Sequence, residues 1–400
     1  MNIVNLNNLR NAVQSCHINF LFGSGCSRPY LGTLGNIEKW LTELVNLPED
    51  SPLLPYQELI ETSLLSAYIK CAMSPCIESD RLVNTYYNVT FGYYMEFYTI
   101  WNSILASRAN TLIGKKINIF TTNIDLFNEE AIAKAEVEFN DGFKGRNNPI
   151  FREEVFSNVL SKLSPLFVSS SEIPTFNLLK IHGSINWKDA NGIDIIYDAN
   201  CETLKRVLDR FESIKDIALT IPDENKSLSE LWSEEEIKKF DKDKKAAEIK
   251  EFLNEYDKLV MINPKKTKFM KSVIDHHFYE LMRIYSNCLE SQNTLLFVSG
   301  FSFADEHMAN LTVRCANNNP TLTIIIFAYD DNAAKDIHDG LHKVGTSRHD
   351  NIIVVTPKEF LNQQDENYKE WTLRQTDLKL ENFDMATINK YVYHQLRRMI

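Results

Sequence analysis

The chain has 400 residues, 44% apolar and 24% charged, which suits a soluble globular protein of two or three folding units with a sizeable core. Its net charge of −11 and pI near 5.4 exclude a surface that binds nucleic acid all over, because phosphate contacts need a clustered positive field. No stretch reaches the length of a membrane span, no basic-then-apolar leader opens the chain, and the seven cysteines form no Cys-x-x-Cys pair, so a cytoplasmic protein with reduced thiols is expected and neither a disulfide framework nor a four-cysteine zinc site is.

In chain order, Ile3–Cys16 reads as a helix with Leu6, Leu9 and Val13 on one face. Ile18–Phe22 is a short apolar strand running into Gly23-Ser24-Gly25-Cys26-Ser27, and the next helix includes Ile37–Leu41. Strand, glycine loop and helix is the setting of a phosphate-binding turn, because glycines admit close backbone approach and helix N–H groups face an anion. The spacing alone is also that of an ordinary tight turn, and no Walker lysine follows. Residues 48–109 read as helices, with the aromatic run Phe91–Tyr98 read as core.

Ile117-Asn118-Ile119-Phe120 is a buried strand that stops at Thr121-Thr122-Asn123-Ile124-Asp125. Outside the carboxyl edge of a parallel sheet these polar groups face a ligand crevice, and they are equally good caps for the helix expected at Asn128–Ala135. Phe176–Ile181 is a further strand that ends in His182-Gly183, which places an imidazole at the same edge. Residues 201–256 are mixed-charge helices, Leu259–Pro264 reads as a strand, and Asp275-His276-His277 reads as polar helix surface, since consecutive helical positions point apart. Thr294–Ser299 is a strong strand followed by Gly300-Phe301-Ser302 and by Asp305, expected to cap the next helix. Leu322–Ala328 and Ile352–Val355 complete the strands. The tail is amphipathic through Met385, Ile388, Val392, Leu396 and Met399, which suits packing on its own chain or on a second subunit. Strands alternating with helices predict an α/β, Rossmann-like doubly wound parallel sheet with helical insertions and a helical C-terminal tail.

Taken together, the loops resemble the sirtuin family. Gly23-Ser24-Gly25-Cys26-Ser27 is similar to its Gly-Ala-Gly-x-Ser loop, Thr121-Thr122-Asn123-Ile124-Asp125 to its Thr-Gln-Asn-Ile-Asp motif, and His182-Gly183 to its His-Gly pair, while Ile262-Asn263 and Gly300-Phe301-Ser302 resemble its later nucleotide contacts. The resemblance implies an NAD-binding domain over residues 1–45, 111–202 and 257–360, interrupted by helical insertions at 46–110 and 203–256 and followed by the tail 361–400. Thr122 stands where the family has Gln, and both the Pro-Asp-Phe-Arg segment and the zinc module of the deacylases are missing. The pattern is closer to the divergent bacterial sirtuin-like effectors of phage defence that hydrolyse NAD, in particular the subunit paired with a hexameric HerA-type ATPase.

That resemblance implies NAD+ as substrate, no metal, a homo-oligomer on a HerA-type translocase, and no direct nucleic-acid binding by the chain alone. It implies Asn123, Asp125 and His182 as catalytic. Asn123 would hold the ribose and a water, Asp125 would accept from the carboxamide, and His182 would act as base or orient the ribose. Gly23, Ser24, Gly25, Ser27, Thr121, Asn263, Gly300 and Ser302 would bind the nucleotide. An NAD or ADP-ribose sensor that gates an ATPase and an NAD-dependent deacylase are the rival expectations.

Overall fold

The computed structural model describes residues 3–33, 35–108, 113–219, 226–231, 234–238, 245–262 and 272–400. Seven strands form a parallel sheet: β1 (His17–Phe22), β2 (Lys116–Thr121), β3 (Glu138–Asn140), β4 (Thr175–Lys180), β5 (Thr294–Ser299), β6 (Leu322–Phe327) and β7 (Ile352–Val355), in the spatial order β7-β6-β5-β1-β2-β4-β3. The chain moves one way from β1 to β2 and the other way from β1 to β5, so the order reverses at β1. A Rossmann-like sheet binds its ligand at that switch point.

Alternate residues of each strand feed two apolar layers. Ile18, Phe20, Phe22, Ile117, Ile119, Phe176, Leu178 and Phe297 face helices Leu6–Ser15, Ile37–Val45, Gln57–Tyr68 and Thr85–Ser107 together with the tail. Leu21, Phe120, Leu179, Leu296, Val298, Ile324 and Ile326 face helices Ser272–Glu290, Glu306–Asn318 and Asp331–Val344. Burial on both faces explains why these strands read as mostly apolar runs, interrupted in β1, β2 and β4 by Asn19, Asn118 and Asn177.

The aromatic helix Thr85–Ser107 is core, as its spacing predicts: the rings of Phe97 and Trp101 meet Phe20 edge-on at 4.9 Å each, and Tyr393 of the tail meets Trp101 at 5.1 Å. Such pairs contribute about 0.5–1.5 kcal/mol each beyond area burial. The tail packs back on its own chain, with Met385, Ile388, Val392 and Leu396 buried and Met399 half-buried. Both insertions are helical where described, and they touch: the Leu219 N–H donates to Ser63 Oγ at 2.8 Å.

Two expectations are corrected. Leu259–Met261 is not a strand of the parallel sheet. It runs antiparallel to Gly183–Asp189 in a separate five-stranded sheet with Ile195–Tyr197, Ile150–Phe151 and Phe143–Lys144. Three residues carry too little pattern to assign a sheet. Around the expected strand at Phe176–Ile181, the segment 138–197 also supplies the other four strands of that sheet, the edge strand β3 and a lone hairpin of Ser161–Leu163 with Ser170–Glu172. His276 is exposed, but His277 is buried, paired through Nδ1 with Glu153 and packed against Phe151, so this run is only half surface. The hydrogen bond that His277 donates to Glu153 outweighs burial and raises the His277 pKa. Among the described residues no helix is long and apolar enough to cross a membrane.

Candidate functional site

The carboxyl ends of β1, β2, β4 and β5 open on one cleft of about 1180 Å³, above the roughly 300–1,000 Å³ usual for small-molecule sites. The loops after the neighbouring strands β1 and β5 meet backbone to backbone. The Gly25 N–H donates to the Gly300 carbonyl at 3.0 Å, and Gly300 holds φ +63°. A Cβ on Gly300 would lie 2.4 Å from the Cys26 nitrogen, and one on Gly23 would lie 2.4 Å from the Gly300 oxygen. Both glycines are therefore required by close approach. Ser24, Gly25, Ser27, Gly300 and Ser302 line the cleft, and Gly23 lies just behind.

The segment 121–125 is pinned on all sides. Thr121 is buried and spends its hydroxyl on the Phe22 carbonyl (3.1 Å) and the Asn123 N–H (3.0 Å), so it shapes the loop, and Thr122 lines the cleft in its place. Ser27 Oγ donates to Asp125 Oδ2 at 2.6 Å. Its single proton being used, Ser27 accepts from Asn123 Nδ2 (3.2 Å) and from the Tyr94 hydroxyl (3.0 Å). Asn123 Nδ2 also donates to the Gly23 carbonyl at 3.0 Å. Its Oδ1 is then a buried acceptor without a protein partner among the described residues, on a residue that lines the cleft. A ribose hydroxyl or a water satisfies such an atom.

Both oxygens of Asp125 are engaged, Oδ2 by Ser27 and Oδ1 by the Phe127 N–H at 3.1 Å. Burial raises its pKa, and the charge of Lys180 opposes that rise. Lys180, the last residue of β4, is 3% exposed. Its ammonium donates to the Asp125 carbonyl, to Glu129 Oε1 at 2.7 Å and to Ser184 Oγ at 2.7 Å. Nothing in the sequence pattern marked it: a lysine closing an apolar strand reads as the strand's exposed end.

His182 follows β4 by two residues. Gly183, at φ +75°, turns the chain against Leu259–Met261, where a Cβ would meet the Val260 oxygen at 2.2 Å. The Ile262 N–H donates to the His182 carbonyl at 2.9 Å. The imidazole Nε2 sits 3.1 Å from Asp305 Oδ2. Asp305 caps helix Glu306–Asn318, as expected, with Oδ1 accepting from the His307 and Met308 N–H groups at 2.9 and 3.1 Å. Its second oxygen makes it also the partner of the histidine. Burial alone would raise the Asp305 carboxyl, but the bond to His182, the charge of that ring and the two helix N–H groups together hold it below its ordinary value. An Nε2–H directed at Asp305 leaves Nδ1 as the ring nitrogen free to take a proton.

Asn123, Asp125, His182 and the glycine loops thus share one cleft, and Ile262 lines it too. Asn263 lies outside the described residues. The cleft continues past the predicted residues to Tyr93 of the aromatic helix, to Tyr329 and Asp336 after β6, and to Phe383 and Asp384 of the tail. These are scattered single residues with no local motif. Among the described residues no group of three or more metal-ligating side chains occurs.

No family model matches the chain, and no curated protein matches it.

Proposed function

We propose that this chain is a sirtuin-like NAD+ glycohydrolase that cleaves the nicotinamide–ribose bond to give nicotinamide and ADP-ribose. The observation that carries the reading is the unpartnered Asn123 Oδ1 and the Asp305-held His182 in one cleft with the interlocked glycine loops, at the switch point of the sheet. The close backbone approach at Gly25 and Gly300 suits the pyrophosphate. Asn123 Oδ1 accepts from a ribose hydroxyl or from the attacking water. His182 takes the water's proton or orients the ribose. The water oxygen bonds to the ribose C1′ as the C1′–N bond breaks, and its electron pair neutralises the pyridinium. The transition state is oxocarbenium-like, as in glycoside hydrolysis. The Asp125 carboxylate, its own oxygens committed to the loop, adds negative potential where positive charge develops and keeps Asn123 in place.

The motif order and the absent zinc module extend the proposal to a cytoplasmic anti-phage effector that depletes NAD as a homo-oligomer bound to a HerA-type ATPase. The test is nicotinamide and ADP-ribose release from NAD by the purified protein, alone and mixed with such a partner, beside Asn123→Ala. Release by the wild type and not by the variant is the expected result. Nucleotide binding without release in any mixture would replace the hydrolase with a sensor that gates the ATPase.

A further inference from the structure

The cleft does not end at the glycine loops, and its far end has a different chemistry. There Tyr329, in the turn after β6, meets Phe383 and Asp384 of the C-terminal tail, with Asp336 from helix Asp331–Val344 and Tyr93 from the aromatic helix. Tyr329 is 51% exposed, yet it is held at two points. Its hydroxyl accepts from Asn382 Nδ2 at 3.0 Å, and its carbonyl accepts from the Phe383 N–H at 3.0 Å. Phe383 is itself fixed by edge-on contact with Phe327 (5.1 Å) and Phe360 (5.7 Å). The tail therefore straps an exposed aromatic ring in place, and the cost of ordering that ring is met before any ligand arrives.

The charged groups at this end are the carboxylates of Asp336 and Asp384; Arg28, the one lysine or arginine among the described lining residues, belongs to the loop after β1. A pre-set aromatic face beside acceptors suits a neutral planar heterocycle with an amino donor. It does not suit a phosphate.

We infer that Tyr329 and tail residues 382–384 form a subsite for an adenine ring, so that the C-terminal tail is a working part of the ligand site. The identification of adenine as the far end of a dinucleotide rests on the proposed function, but its test needs no turnover. AMP and ribose 5-phosphate are titrated calorimetrically into the full chain. The wild type binds AMP about 10-fold more tightly than ribose 5-phosphate, within the range of base–aromatic stacking. Tyr329→Ala, a change at an exposed position, removes that preference and leaves ribose 5-phosphate binding unchanged. Tyr329→Phe keeps the ring, and Asn382→Ala keeps ring and hydroxyl but releases the strap; each loses about 3-fold in AMP affinity.

Equal wild-type binding of the two probes, or wild-type AMP affinity in Tyr329→Ala, overturns the subsite. Undiminished AMP affinity in both Tyr329→Phe and Asn382→Ala overturns the tail's part in it. An AMP preference without nicotinamide release leaves the subsite standing and refutes the hydrolase, and release without an AMP preference does the reverse.

Discussion

Lys180→Met tests the electrostatics beneath the site most directly. The ammonium is the cationic partner of Glu129 at 2.7 Å, and it also holds the Asp125 carbonyl and Ser184 Oγ. Glu129 Oε2 has no partner among the described residues, so the variant leaves a buried carboxylate nearly alone. Removing one member of a buried pair costs about 3–5 kcal/mol. The pH dependence adds a second signature. Burial raises the pKa of both Glu129 and Asp125, and Lys180 opposes both rises. A carboxyl whose folded pKa lies above its unfolded value binds more protons when folded, so it favours folding at acid pH and loses that contribution as pH rises through the folded pKa. Without the lysine both folded values climb further. The deficit of Lys180→Met is therefore largest at neutral pH and shrinks as pH is lowered towards the ordinary carboxyl range. Adding Glu129→Gln removes the orphaned charge and recovers part of the loss. Urea unfolding followed by tryptophan fluorescence at several pH values, for wild type, both single variants and the double, measures this cycle. A loss under about 1 kcal/mol at neutral pH, or one that grows on acidification, refutes the account.

The His182–Asp305 pair separates cap from charge. Asp305→Asn keeps a good N-cap and leaves stability within about 0.5 kcal/mol near its acid limit, whereas Asp305→Ala loses about 0.5–2 kcal/mol more, read by thermal melting. Asp305→Asn lowers nicotinamide release about 100-fold by removing the charge that holds the imidazole. Because the Asp305 pKa is depressed in the fold, its stabilising contribution is present above the unfolded carboxyl pKa and lost as pH falls through the folded value; Asp305→Asn abolishes that slope in acid unfolding. Gly300→Ala forces a left-handed alanine, costing about 1–2 kcal/mol, and drives its Cβ into the Cys26 nitrogen, so calorimetry should show ADP-ribose affinity falling more than about 10-fold. Asn118 sits in register between Asn19 and Asn177 across β1, β2 and β4 and bonds to them at 2.9 and 2.8 Å. Asn118→Ala leaves the buried Asn19 Oδ1 unpaired, whereas Asn177 Nδ2 keeps the Phe156 carbonyl at 3.0 Å, and urea unfolding should show a loss of roughly 1–3 kcal/mol.

The parallel sheet was legible because burial on both faces writes β1, β2, β4, β5 and β6 as apolar runs, and the site loops were legible because each begins where such a run stops. The second sheet was not, since strands such as Phe143–Lys144 and Leu259–Met261 are defined by partners far away in the chain, not by their own pattern. Thr121 and Thr122 are chemically identical at the sequence level, and only the strand's alternation decides that one braces the loop and the other meets the cleft. Lys180 and His277 escaped for one reason: a charged residue reads as surface until the acid that accompanies it inward, Glu129 or Glu153, is located in space.

The charge of the cleft bears on which part of a dinucleotide the side chains can serve. Its lining carries Glu38, Asp125, Asp305, Glu306, Asp336 and Asp384 against Arg28, in a chain of net charge −11. Side chains of this sign repel a pyrophosphate, so its recognition falls to the peptide groups of the two loops, whose mutual approach leaves no room for a Cβ at Gly23 or Gly300. Asp125 and Asp305, beside Asn123 and His182, favour a centre that gains positive charge. A site that binds the phosphates through backbone and keeps Asp125 and Asp305 beside Asn123 and His182 directs its side-chain charge at the transition state and not at the ground state. In that arrangement Asn123 and His182 need supply only orientation and one proton's destination, and Asp125 and Asp305, held by Ser27, Phe127, His307 and Met308, supply the field.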